Sequence, residues 1–153
     1  MNIRFENIKP PMPPYEIARL EESLLDVGCM KPLVVWGDTL IDGHKRYCIC
    51  REHHIPYEVT HIHFNDDNEA VLWMIKEHFS QGTLSPFQRC ELLMKFFPEM
   101  SLQDMADLAG VAKSAVLATG DILTYGSEDV IERVRAGSIS IDRAYKSLRR
   151  THE

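Results

Sequence analysis

The run Leu40-Ile41-Asp42-Gly43-His44-Lys45-Arg46-Tyr47-Cys48-Ile49-Cys50 constrains this chain most. Two apolar residues end in Asp-Gly, after which Tyr47, Ile49 and Cys50 recur at roughly helical spacing. A buried strand therefore turns sharply into a helix, which ends by His54 because Pro56 forbids continuation. Gly43 admits positive φ or a close backbone approach at the turn. Lys45 and Arg46 fall in the first helical turn, where free amides already carry partial positive charge. A bound anion would resolve that conflict, because amides, dipole and two cations would converge on it. The same residues also suit a plain turn with two solvated cations, and both readings stand at this point.

Around that junction the signals alternate between strand and helix. Residues 2–8 read as an edge strand closed by a proline-rich segment. Tyr15 to Val27 is an amphipathic helix with Ile17, Leu20, Leu24 and Leu25 on one face, and Gly28 stands where a terminating glycine belongs. Pro32–Trp36 and Thr39–Ile41 form a strand pair across Gly37-Asp38, and Tyr57–Phe64 is a further strand. Asn65-Asp66-Asp67 caps a helix running from about Glu69 to His78. The turn cluster 81–86 marks a boundary, beyond which Ser85 and Pro86 open a helix and strand signals fade. The expectation is an α+β chain, with an α/β domain over 1–82 and an all-α domain over 83–153.

Within the second domain, Ser101–Leu123 has helix-turn-helix spacing. Ser101 caps a helix with Leu102, Met105, Ala106 and Leu108; Ala106 is small where helices would cross, Gly110 makes the turn, and Val111 and Val116 pin the second helix. That second helix offers DNA only Lys113 and Ser114 near its start, with Thr119 and Gly120-Asp121 further on, which is poor in base-reading groups. Arg143, Lys146, Arg149 and Arg150 add a basic stripe suited to phosphates, an acidic partner or plain solvation.

The 153 residues allow one domain with a sizeable core or two small ones. No apolar stretch is long enough to span a membrane, and the first residues lack the pattern of a signal peptide, so the expected location is cytoplasmic. The four cysteines are then expected reduced, small and partly buried. A net charge of −6 excludes a blanket nucleic-acid coat. Residues 1–80 hold 8 Lys/Arg against 13 Asp/Glu, and residues 81–153 hold 9 against 10, so any DNA contact must be local.

Asp42-Gly43-His44-Lys45-Arg46-Tyr47 resembles the Gly-Glu-Arg-Arg box of the ParB/sulfiredoxin superfamily, whose members include plasmid and chromosome partition proteins. The order of features supports the resemblance: Gly28, Pro32 and Val34-Val35 match, with Lys31 at the family's glutamine position. The segment from Asp129 through Gly137 and Ile141 to Ala144 is similar to ParB's central DNA-binding region. The resemblance implies a DNA-binding protein of partition or of plasmid or phage maintenance. It would be regulated by a nucleotide (CTP or ATP with Mg²⁺) held at Gly43, His44, Lys45 and Arg46. The family's Glu-Asn-x-x-Arg motif falls on Glu77-His78-Phe79-Ser80-Gln81, so only the acid is retained, and the box's third arginine is Cys48. A glutamine cannot supply the charge an arginine gives to phosphate, so hydrolysis is the weaker expectation. The family also has a dimerisation domain beyond the helix-turn-helix that this sequence, ending at Glu153, does not match; a fragment and a chain that dimerises otherwise both stay open, and so does a homodimer as a partner state.

Two other functions stay open. One is a nucleotide hydrolase or kinase, at most a weak triphosphatase, with Glu77 as the catalytic or metal-binding acid. The other is an interaction module with no DNA binding. The sulfiredoxin reductase is excluded, because its nucleophilic cysteine position is His44. No metal site is expected: Cys48 and Cys50 face about 200° apart on a helix, and His61 and His63 alone do not make a site.

Overall fold

The structure is a computed structural model describing residues 1–152. These fall into two compact units, Met1–Met74 and the chain from Ile75 onward.

In the first unit, α1 (Pro14–Val27) opens on Pro14, whose fixed φ suits the first helical turn, and ends at Gly28 with φ 79°. β1 (Leu33–Trp36) and β2 (Thr39–Asp42) form an antiparallel hairpin, α2 (His44–Glu52) follows, and β3 (Val59–His61) returns parallel to β1. The sheet order is β2-β1-β3. Both of its faces are covered. Leu40 packs with Leu33, Val35 and Tyr47 on one side, and Ile41 packs with Phe5, Phe64, Ala70 and Met74 on the other. A strand buried on both faces reads as an unbroken apolar run, which is why β2 shows no alternation. Leu40 and Ile41 are both fully buried, each stabilising the fold by roughly 1.5–3 kcal/mol. Leu24 of α1 meets Ile49 and Cys50 of α2 in a further cluster.

Three expectations need correction here. Residues 2–8 are not an edge strand: only Asn2 bridges to Thr39, and the chain then turns. The reason is Phe5, drawn into the core beside Met74, while Arg4 pairs with Asp67 at 2.8 Å. The third strand is also shorter than 57–64, since the chain leaves the ladder after His61 and sends Phe64 into the same core. Cys48, expected partly buried, is exposed.

The chain continues through α3 (Asp67–Ser80), which spans the division between the units, and then α4 (Pro86–Phe96), α5 (Leu102–Ala109), α6 (Lys113–Tyr125), α7 (Glu128–Arg135) and α8 (Ile141–His152). Serines start four of these helices. Ser85 forms a reciprocal capping box with Gln88, and Ser101, Ser127 and Ser140 each accept a backbone amide three residues on. Phe87, Ile122, Val134 and Ala144 make the core of the second unit. Arg89 on α4 donates to the carbonyls of Leu84 at 2.8 Å and Ala109 at 2.7 Å, tying the end of α5 to α4. Gly110, with φ 69°, turns the chain between α5 and α6. No described helix is long and apolar enough to cross a membrane.

Candidate functional site

The β2–α2 junction gathers Gly43, His44, Lys45 and Arg46 around a carboxylate that the sequence did not single out. Gly43 has φ 98°, and a Cβ there would lie 2.5 Å from Leu33 Cδ2 and 2.9 Å from Arg46 Nη2. Only glycine satisfies both the backbone angle and the space. α2 has no side-chain cap and no acid in its first turn. Asp42, 6 % exposed, fills the electrostatic gap instead. Its carboxylate accepts from Lys9 Nζ at 2.8 Å and Arg46 Nη2 at 3.3 Å, with Lys31 Nζ at 3.9 Å. Arg46 Nη1 also donates to the Lys31 carbonyl at 2.6 Å and the Pro32 carbonyl at 3.3 Å. The arginine in the first turn is thus held by the chain's own anion and carbonyls.

Burial pushes the Asp42 carboxyl up, but the Lys9 hydrogen bond and the charges of Lys9, Arg46 and Lys31 outweigh it and hold the group below the ordinary carboxylate value. Burial and the charge of Lys9 hold His44 below its ordinary value, against Glu6 and Asp42, so its ring is neutral at pH 7. Its Nε2 is enclosed without a hydrogen-bond partner. Lys45 is half-buried and takes part in no ion pair among the described residues. The junction therefore carries more cations than Asp42 neutralises, beside an uncapped helix start, and that arrangement can accept an anion. The sequence reading gave neither Lys9 nor Lys31 a place at this junction, although Lys31 stands at the family's glutamine position. Lys31 sits directly before Pro32, which fixes an extended backbone there, but no spacing rule marks Lys9.

Glu77 is half-buried late in α3, where its carbonyl accepts from Ser80 Oγ at 2.6 Å. In the second unit, α6 exposes Lys113, Ser114 and Leu117 and buries Val116, Ala118, Thr119 and Ile122. Thr119 donates to the Ala115 carbonyl and is not available at the surface. On α8, Arg143, Lys146, Arg149 and Arg150 are all exposed. Lys146 pairs with Asp142 at 2.9 Å, and Arg149 lies 5.8 Å from the Tyr145 ring, so half of the stripe has intrahelical company. Among the described residues, no group of His, Cys, Asp and Glu is placed to hold a metal ion.

No family model matches the sequence, and no curated protein does. Solved structures do. A Pnob8-like ParB-N domain matches with a TM-score of 0.67 at 14 % identity, over 95 % of this chain and 74 % of that one. The C-terminally truncated chromosome-partitioning protein ParB from Caulobacter crescentus, complexed to the centromeric parS site, matches with a TM-score of 0.52 at 14 % identity, over 97 % and 95 %. The same truncated protein complexed with CTP-γ-S gives a TM-score of 0.43 at 18 % identity, over 96 % and 86 %. The chain has a ParB-like fold.

Proposed function

We propose that this protein binds DNA as a ParB-like component of partition or of plasmid or phage maintenance, with α5 and α6 as a helix-turn-helix. One observation carries the reading: the match to a ParB complexed to its centromeric site extends over 97 % of the chain and so includes α5, Gly110 and α6. Exposed Lys113 and Ser114 at the start of α6 would meet the duplex, and Arg143, Arg149 and Arg150, the three stripe cations without an ion pair among the described residues, would meet its phosphates. Anisotropy measurements on duplexes selected from a random library test this. The expected result is a preferred sequence whose affinity falls with salt, with the log–log slope reduced by about one in Lys113→Ala. Binding with neither sequence preference nor salt dependence would refute it.

The β2–α2 junction supports a second element of the proposal, a phosphate-binding role for a nucleotide such as CTP or ATP with Mg²⁺. The supporting features are the uncapped start of α2, the surplus of cations over Asp42 and the enclosed, unpartnered His44 Nε2. Lys45 is the residue to change, because Arg46→Ala would also strip the Lys31 and Pro32 carbonyls of their donor. Calorimetry with CTP, ATP and GTP, with and without Mg²⁺, should show one nucleotide binding to the wild type and weakened in Lys45→Ala. Absence of binding to all three would reduce the junction to a fold element.

A further inference from the structure

We propose that Cys29 and Cys50 form a reversible disulfide that clamps the loop after α1 to α2. The inference is independent of DNA or nucleotide binding. Cys50 is 1 % exposed in the cluster of Leu24 and Ile49, and half-buried Cys29 packs against that same cluster. Cys29 Sγ donates to the Lys31 carbonyl at 3.4 Å, the oxygen that also accepts from Arg46 Nη1. Arg46 and Cys50 lie four residues apart on α2 and therefore on one face. A short loop thus meets α2 at both a thiol and a guanidinium. The two thiols thus share one cluster, and burial, together with the charge and hydrogen bond of Cys29 and against the charge of Arg46, pushes the Cys50 thiol up to about 11, so Cys50 rests protonated.

The division of labour follows from access. The oxidant is a hydroperoxide. The Cys29 thiolate attacks a peroxide oxygen; the O–O bond breaks, hydroxide leaves and Cys29 becomes a sulfenic acid. The Cys50 sulfur then displaces that hydroxyl: an S–S bond forms, the S–O bond breaks, and the Cys50 proton leaves in water. Two thiols and one hydrogen peroxide give one disulfide and two waters.

The test treats the full chain with hydrogen peroxide and follows intact mass, non-reducing peptide maps and urea unfolding. The expected result is loss of two hydrogens per chain, a peptide link joining Cys29 to Cys50, a raised urea midpoint, and reversal by dithiothreitol. Cys48→Ser and Cys90→Ser should still form the Cys29–Cys50 link, whereas Cys29→Ser should form none. Cys50→Ser should also fail, and if that buried replacement does not fold, Cys29→Ser decides. Oxygen gain on Cys29 without a link, a link to Cys48, a bond between chains, or a link that leaves the midpoint unchanged would each overturn the proposal.

Discussion

Replacing Asp42 with asparagine tests whether the chain's own anion holds the β2–α2 junction. Removing one partner of a fully buried ion pair costs about 3–5 kcal/mol, because the other charge is left uncompensated. Here the side chains of Asp42 and Arg46 are 9 % and 14 % exposed, but those of Lys9 and Lys31 are 29 % and 64 % exposed and keep water. Arg46 also retains the Lys31 and Pro32 carbonyls. With that solvation the expected loss is about 2 kcal/mol. Both tryptophans, Trp36 and Trp73, lie in the first unit and border the core around Phe64 and Met74, so their fluorescence reports this unit alone. With a urea slope of about 2 kcal/mol per molar, the midpoint falls by roughly 1 M. Because the folded carboxyl is held below its ordinary value, its contribution is present above the unfolded-state value and lost as pH falls through the folded one. Wild type and Asp42→Asn should therefore converge in acid. An unchanged midpoint at neutral pH, or a gap that persists in acid, would refute the internal-anion argument.

Gly43→Ala should lower the same midpoint more than Gly28→Ala. Both glycines have positive φ, but only at Gly43 does a new Cβ strike Leu33, a buried neighbour, so about 3 kcal/mol is expected there against about 1 kcal/mol at Gly28. Arg89→Met should destabilise the second unit by about 2 kcal/mol, followed as loss of helical circular dichroism in urea, because the Leu84 and Ala109 carbonyls lose their donor. A change under about 0.5 kcal/mol would remove Arg89 as a tie between α4 and α5.

Local chemistry made the helices of this chain legible in its sequence. Ser85, Ser101, Gly28 and Gly110 each mark a helix boundary with a residue that its backbone geometry demands, and each boundary lies where that residue stands. The segment 2–8 was not legible, because one long-range contact, Phe5 in the core, outweighs its extended propensity. The junction was half legible. Gly43 and the cations of α2 are adjacent in sequence, and their conflict with the helix dipole announced a missing anion. That the anion is Asp42, joined by Lys9 from a proline-rich segment and Lys31 from the loop after α1, depends on contacts across 33 and 11 positions of chain that no periodicity encodes.

The internal anion also sets the terms on which any external one could bind. A phosphate approaching the start of α2 would compete with Asp42 for Lys9 and Arg46, the cations already in contact with it. Replacing Asp42 by asparagine removes that competitor while leaving the uncapped amides, Lys45 and the shape of the turn in place. Under the proposed phosphate role, stability and anion affinity must therefore move in opposite directions in Asp42→Asn. The midpoint falls, while inorganic phosphate or the preferred nucleotide binds about tenfold tighter, equivalent to ~1.4 kcal/mol. A junction that serves the fold alone would lose stability without gaining affinity, because its cations would then be held chiefly by the Lys31 and Pro32 carbonyls and by solvent. Calorimetry on the folded variant below its unfolding range separates the two cases: a tighter complex supports the phosphate site, and unchanged or absent binding removes it while leaving the stability argument intact.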